Sequence, residues 1–370
     1  MASPVVELTL DLVRLDTVNP PGDEAPVAEL LGERLEAAGL EVARHDLAPG
    51  RPNLVARLPS RDPERPALSF TGHLDTVPLG RAPWSRDPFG EQDGGRLYGR
   101  GTTDMKGGLA AIVLTAERIA ELGPPEAGLE IVLCAGEESG CEGALALADT
   151  PGALGRAGAL LVAEPTDNVP CVAHKGMVWV EASTEGRSSH GSAPHLGVNA
   201  IYPLARAVAA LEDVRFDVEA HPVLGDPTLS VGTIEGGVNV NSVPDGARAH
   251  IDVRTVPGLD ADAVLDALRA AAGPDVALEP WVALGPVETD PGDPWVAQVY
   301  DAFGAPAEPR GMAYFTDAAA LAPAYGGVPT IICGPGDTGQ AHQTDEWIDV
   351  GRLEAAAGAY VEIARSWCGV

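Results

Sequence analysis

The chain has 370 residues, more than a single hydrophobic core ordinarily serves, so two domains are expected. Hydrophobic residues make up 45%, which argues against disorder, and no apolar run approaches the roughly 20 residues of a membrane-spanning helix. A formal charge of −30 disfavours nucleic acid and anionic membranes as partners. The five cysteines (Cys134, Cys141, Cys171, Cys333, Cys368) are odd in number and form no CxxC pair, so reduced thiols are expected rather than disulfides or a thiolate metal site.

The N-terminal stretch MASPVVELTLDLVRLD carries acids within its apolar pattern. It reads as an amphipathic helix over 4–15 and not as a secretory signal, which suggests a soluble, cytoplasmic protein. Helical spacing recurs over 26–39, an apolar run follows at 66–71 (PALSFT), and a long Ala- and Leu-rich helix is predicted over 105–122. Further apolar runs stand at 129–135, 159–163 and 329–333. Short apolar runs alternating with helical patterns predict an α/β fold, a mostly parallel sheet with helices on both faces. The middle third reads strand (176–185), helix (198–212), two strands (228–234, 247–254) and helix (260–272). That order predicts a small inserted α+β domain. The expected organisation is a catalytic domain in two segments, 1–174 and 284–370, around an insert at 175–283.

Ligands of such sheets sit beyond the carboxyl ends of the strands. The run at 66–71 leads into GHLDTVP, where His73 and Asp75 share one side of an extended segment. Asp104 stands in GRGTTDMKGG, where an N-cap is the ordinary alternative. The run at 129–135 leads into AGEESG with Glu137 and Glu138 adjacent, a repulsive pair unless a cation compensates. The run at 159–163 delivers Glu164 in AEPT, and PTIIC is followed by GPGDTGQAHQTDEW with His342. Two histidines and three carboxylates suit zinc, with cobalt or manganese as substitutes. Five ligands are too many for one tetrahedral ion and fit two ions sharing a carboxylate. Only Lys106 and Lys175 are lysines, and both fall within these motif regions.

GHLDTVP, GRGTTDMKGG, AGEESG, AEPT, AHKG and AHQTDEW, in this order from about residue 70 to the C-terminus, resemble the motifs of the M20 family of metallopeptidases and deacylases. That family includes acetylornithine deacetylase and succinyl-diaminopimelate desuccinylase. The resemblance implies a dizinc exopeptidase-like fold with a lid and dimerisation domain. It implies that His73, Asp104 and Glu164 bind the first zinc and that Asp104, Glu138 and His342 bind the second, Asp104 bridging. Asp75 would orient His73, and Glu137 would act as general base toward a hydroxide held between the ions. It also implies a cis Asp104–Met105 peptide, and an oxyanion-binding histidine, His190 in GRSSHGSAPH, supplied across a homodimer interface. Arg254 in HIDVRTVPG would clamp a substrate carboxylate. Asn241, Thr316 with Asp317, and the backbone N–H groups of the Gly334–Gly336 turn are further candidate substrate contacts.

The implied activity is removal of an acyl group from the nitrogen of an amino acid or similar small carboxylate. Alternatives are a dipeptidase or carboxypeptidase of the same family, and a non-catalytic amino-acid-binding relative, which the presence of Glu137 disfavours. HKGMVWVEAS lacks the GRRGSL-like string of many desuccinylases, and YFTD replaces the CTEA-like string of acetylornithine deacetylase, so acyl group and amine stay open.

Overall fold

Six strands form the main sheet of the computed structural model, which describes residues 3–370. Their spatial order is Glu41–Ala48, Arg51–Leu58, Leu129–Cys134, Ala67–His73, Ala157–Pro165 and Thr330–Gly334. The last four neighbours run parallel, and they are the four apolar runs read from the sequence. Their near-complete burial explains the unbroken apolar pattern, since both faces are covered; Leu129–Cys134 is buried at every position. The other two strands form an antiparallel hairpin on one edge. It was not legible beforehand, because Glu41–Ala48 is half exposed and mixes charge with small apolar residues.

The chain divides into two compact units. One comprises residues up to Ala173 with Glu288–Arg310 and Thr316–Val370, and holds the six-stranded sheet. Its core includes Leu12, Leu31, Phe70, Ile112, Leu161 and Tyr360, all fully or almost fully buried. Helix Gly107–Glu121 lies directly on the sheet: a Cβ on Gly108 would stand 2.4 Å from the Ala163 carbonyl oxygen, so only glycine permits this approach. The helix starts two residues later than expected, because a wide turn at Thr102–Lys106 precedes it. Asp104 and Met105 are non-helical there, and the peptide bond joining them is cis.

The other unit comprises His174–Val287 and takes in Gly311–Phe315, a return segment that the sequence reading leaves within 284–370. Its sheet is antiparallel, ordered Thr228–Gly236, Gly246–Thr255, Gly176–Glu185 and Ala277–Leu284. Val178, Val180, Ala249, Ile251 and Val253 pack with the helices Ile201–Leu211 and Ala261–Ala272. Period-two alternation sends Trp179, Glu181, His250, Asp252 and Arg254 to the opposite face.

The fold class is therefore α/β with a mostly parallel main sheet. No helix among the described residues is long and apolar enough to cross a membrane.

Candidate metal centre

Strand Ala67–His73 ends on His73, which is 1% exposed. Its Nδ1 lies 3.0 Å from the Asp75 carbonyl oxygen and 3.4 Å from Asp75 Oδ1, so Asp75 grips the ring from behind. Its Nε2 lies 3.0 Å from Asp104 Oδ1 and 3.5 Å from Glu164 Oε1. The other Asp104 oxygen lies 3.3 Å from His342 Nε2, which is also 3.2 Å from both oxygens of Glu138. His73, Asp104 and Glu164 thus form one group and Asp104, Glu138 and His342 another, each with ligand atoms within 4.8 Å of one another. Asp104 is common to both. Glu137 belongs to neither; it is 6% exposed and accepts a weak hydrogen bond at 3.9 Å from the Cys141 thiol.

Asp75 also organises the pair of glutamates. Its Oδ1 accepts from the Glu137 N–H at 3.1 Å, and its Oδ2 from the Glu138 N–H at 3.3 Å. Asn19, which the sequence reading misses, donates Nδ2 to Asp75 Oδ2 at 2.8 Å and to Ser139 Oγ at 2.9 Å. The only hint in the sequence is an asparagine before two prolines, which reads as an ordinary turn.

The electrostatics are those of a site short of cations. Burial, joined by the Glu164, Glu138 and Asp317 carboxylates, pushes the Glu137 carboxyl well above the usual range. Burial and the Asp104 and Glu138 charges do the same to Glu164, although His73 opposes them. Burial and Asp104 raise Glu138 as well. Burial alone would lower His73, yet Glu164, Asp104 and Asp75 hold it well above normal. Hydrogen bonds to Asp104 and Glu138 raise His342 to about 10. Burial would raise Asp104, but His342 and His73 bring it below the normal carboxylate range. Carboxylates crowded out of water with histidines borrowed as counter-charges fit a pair of divalent ions in both number and donor chemistry.

Asp317 lies in the same unit, fully buried at the start of helix Ala318–Ala324. Neither oxygen has a hydrogen-bond partner among the described residues, and burial lifts the carboxyl to about 7. Thr316 is also buried, its Oγ1 accepting from the Ala318 N–H at 3.1 Å. The Gly334 N–H is donated to Thr166 Oγ1 at 3.2 Å inside the sheet.

His190 and Asn241 lie together in the inserted unit, where the Gly191 N–H donates to the Asn241 carbonyl and His190 bridges Ser242. Both are exposed. His190 Nδ1 lies 2.7 Å from Ser192 Oγ. Arg254 sits 5.1 Å over the Phe315 ring, and its Nε and Nη2 are held by Asp252 at 2.8 and 2.9 Å.

Residues 69–366 match the profile of Peptidase family M20/M25/M40. The chain belongs to that family. It is 32% identical over 363 residues to the acetylornithine deacetylase of Vibrio vulnificus, covering 94% of this chain and 92% of the relative. It is 33% identical over 389 residues to an Aspergillus clavatus protein named "probable carboxypeptidase", covering 99% and 83%. Among solved structures, the M20 family metallo-carboxypeptidase of Sulfolobus solfataricus superposes over the whole of both chains with a TM-score of 0.81 at 18% identity, a likeness of fold. The protein is thus an M20 hydrolase, in a family whose members carry deacetylase and peptidase names.

Proposed function

We propose that this M20 hydrolase is a two-metal amidohydrolase that removes an acyl group from the nitrogen of an amino acid or similar small carboxylate. The observation that carries the reading is Asp104, whose two oxygens face two separate His/Glu sets while Glu137 beside them belongs to neither. His73, Asp104 and Glu164 would hold one ion and Asp104, Glu138 and His342 the other, zinc by the donor set, with cobalt or manganese as substitutes. When bound, such a pair supplies Lewis acidity, polarising a carbonyl and lowering the pKa of water.

The remaining work falls to the chain. The Glu137 carboxylate takes the proton of the attacking water and returns it to the departing amine nitrogen. Asp75 keeps the His73 ring in one tautomer, and Asn19 holds Asp75. His190 donates from Nε2 to the developing oxyanion, acting on the partner's site in a homodimer formed through the insert at 175–283. Arg254 binds the substrate carboxylate once its guanidinium leaves or shares Asp252. Asn241 and Thr316 are secondary contacts.

A second reading, a dipeptidase or carboxypeptidase, is favoured by the 33% identity to the Aspergillus clavatus protein. It would use the same arginine on a peptide C-terminus. The separating experiment is a comparison of N-acetyl amino acids with dipeptides on zinc- or cobalt-loaded enzyme. Faster hydrolysis of N-acetyl substrates is expected, faster dipeptide cleavage would favour the second reading, and no hydrolysis of either would overturn both.

A further inference from the structure

The segment that carries His342 and the loop that carries Asp104 are far apart in the chain, yet both must present ligands to the same ion. Glu346, four residues after His342, is fully buried against that loop. Its Oε1 accepts from the Thr103 N–H at 2.8 Å and the Asp104 N–H at 3.1 Å. Its Oε2 accepts from the Gly101 N–H at 3.0 Å and from Arg100 Nη1 at 2.6 Å. Two more bonds stitch the same segments: the Gly99 N–H to the Glu346 carbonyl at 2.9 Å, and Thr103 Oγ1 to the Trp347 carbonyl at 2.7 Å.

We infer that Glu346 is a positioning residue for both candidate metal groups, holding the Asp104 loop and the His342 segment in one register so that Asp104 can face both. The inference rests on the two-metal reading above. Neutralising Arg100 does not by itself account for the arrangement. Arg100 occupies one oxygen, whereas the other, among the described residues, meets only backbone N–H groups of the loop, including that of the shared ligand itself. A carboxylate can serve two ions only if its plane is fixed, and the main chain of Asp104 is fixed on its amide side by this side chain. His342 lies in a left-handed backbone conformation, φ +62°, in an exposed turn. Its position therefore depends on the anchored residues that follow. Supporting groups of this kind are commonly worth 10- to 100-fold in metal affinity.

The Glu346→Gln variant keeps the volume but turns an NH2 toward N–H donors. The Glu346→Asp variant keeps the charge beside Arg100 and withdraws it from the loop. Both are compared with wild type by zinc titration of the metal-free protein against a chromophoric chelator, with folding of the metal-free state checked by circular dichroism. The expected result is two zinc ions in wild type and, in whichever variant is folded, at least a tenfold weaker affinity for one or both ions, falling most at the group containing His342. Affinities within about twofold of wild type in a folded variant would overturn the inference and leave the two-metal reading intact. So would a lowered melting temperature with unchanged affinities. A wild type that binds at most one ion would instead overturn the reading beneath it, and the inference with it.

Discussion

Replacing Glu137 with glutamine removes one charge and almost no volume from the most crowded part of the site. The side chain is 6% exposed and lies outside both candidate metal groups. Burial and the neighbouring Glu164, Glu138 and Asp317 carboxylates hold its carboxyl well above the normal range, so an ionised Glu137 is a cost to the metal-free fold. Glu137→Gln should therefore leave the metal-free melting temperature unchanged or raise it, and leave metal content at the wild-type level. Loss of a general acid–base group commonly costs about 10²- to 10⁴-fold in turnover, or roughly 3–5 kcal/mol in barrier height. The assay is kcat for an N-acetyl amino acid beside metal analysis of the same preparation. Glu138→Gln, which alters a member of the second metal group, should instead weaken metal binding. Turnover of Glu137→Gln within tenfold of wild type at full metal content would remove Glu137 from the mechanism.

Other outcomes follow from the same geometry. Mixing inactive Glu137→Ala chains with inactive His190→Ala chains under subunit exchange should restore activity if His190 acts in trans, because one hybrid site then has both residues; a dead mixture with proven exchange contradicts this. Asn19→Leu leaves Asp75 Oδ2 without its 2.8 Å donor and should lower turnover by about 10- to 100-fold; an unchanged kcat would show that Asp75 does not need it. Burial depresses His174 to about 4, so the folded state prefers the neutral ring. The contribution is whole above about pH 6.5 and is lost as pH falls toward 4, about 3 kcal/mol at most. Denaturant titrations of His174→Asn should show a shallower fall in stability across that window, and an identical slope would refute the assignment.

The residues at the candidate centre were legible because parallel strands deliver their chemistry in a repeated way. Each apolar run ends at the same sheet edge, so His73, the Glu137–Glu138 pair and Glu164 read as one cluster from the sequence alone. Asp104 and His342 were legible mainly through the motifs around them. What escaped notice acts through side-chain-to-backbone bonds between distant segments, which leave no period or spacing. Asn19 stands in a stretch that reads as a proline turn and Glu346 inside the AHQTDEW motif with no role assigned to it, and only their partners reveal their work. The Gly334 N–H has a partner of the same kind, Thr166 Oγ1 at the exit of the neighbouring strand, which the glycine turn does not advertise. Gly311–Phe315 escaped because membership of a unit depends on contacts that five residues cannot advertise.

The central claim is that two ions share Asp104. Anomalous diffraction from zinc-loaded crystals, with metal analysis of the same protein, tests it most directly. Two peaks roughly 3–4 Å apart are expected on either side of the Asp104 carboxylate, the spacing of paired hydrolytic ions. A single peak after full reconstitution, or two peaks with Asp104 touching neither, would contradict it.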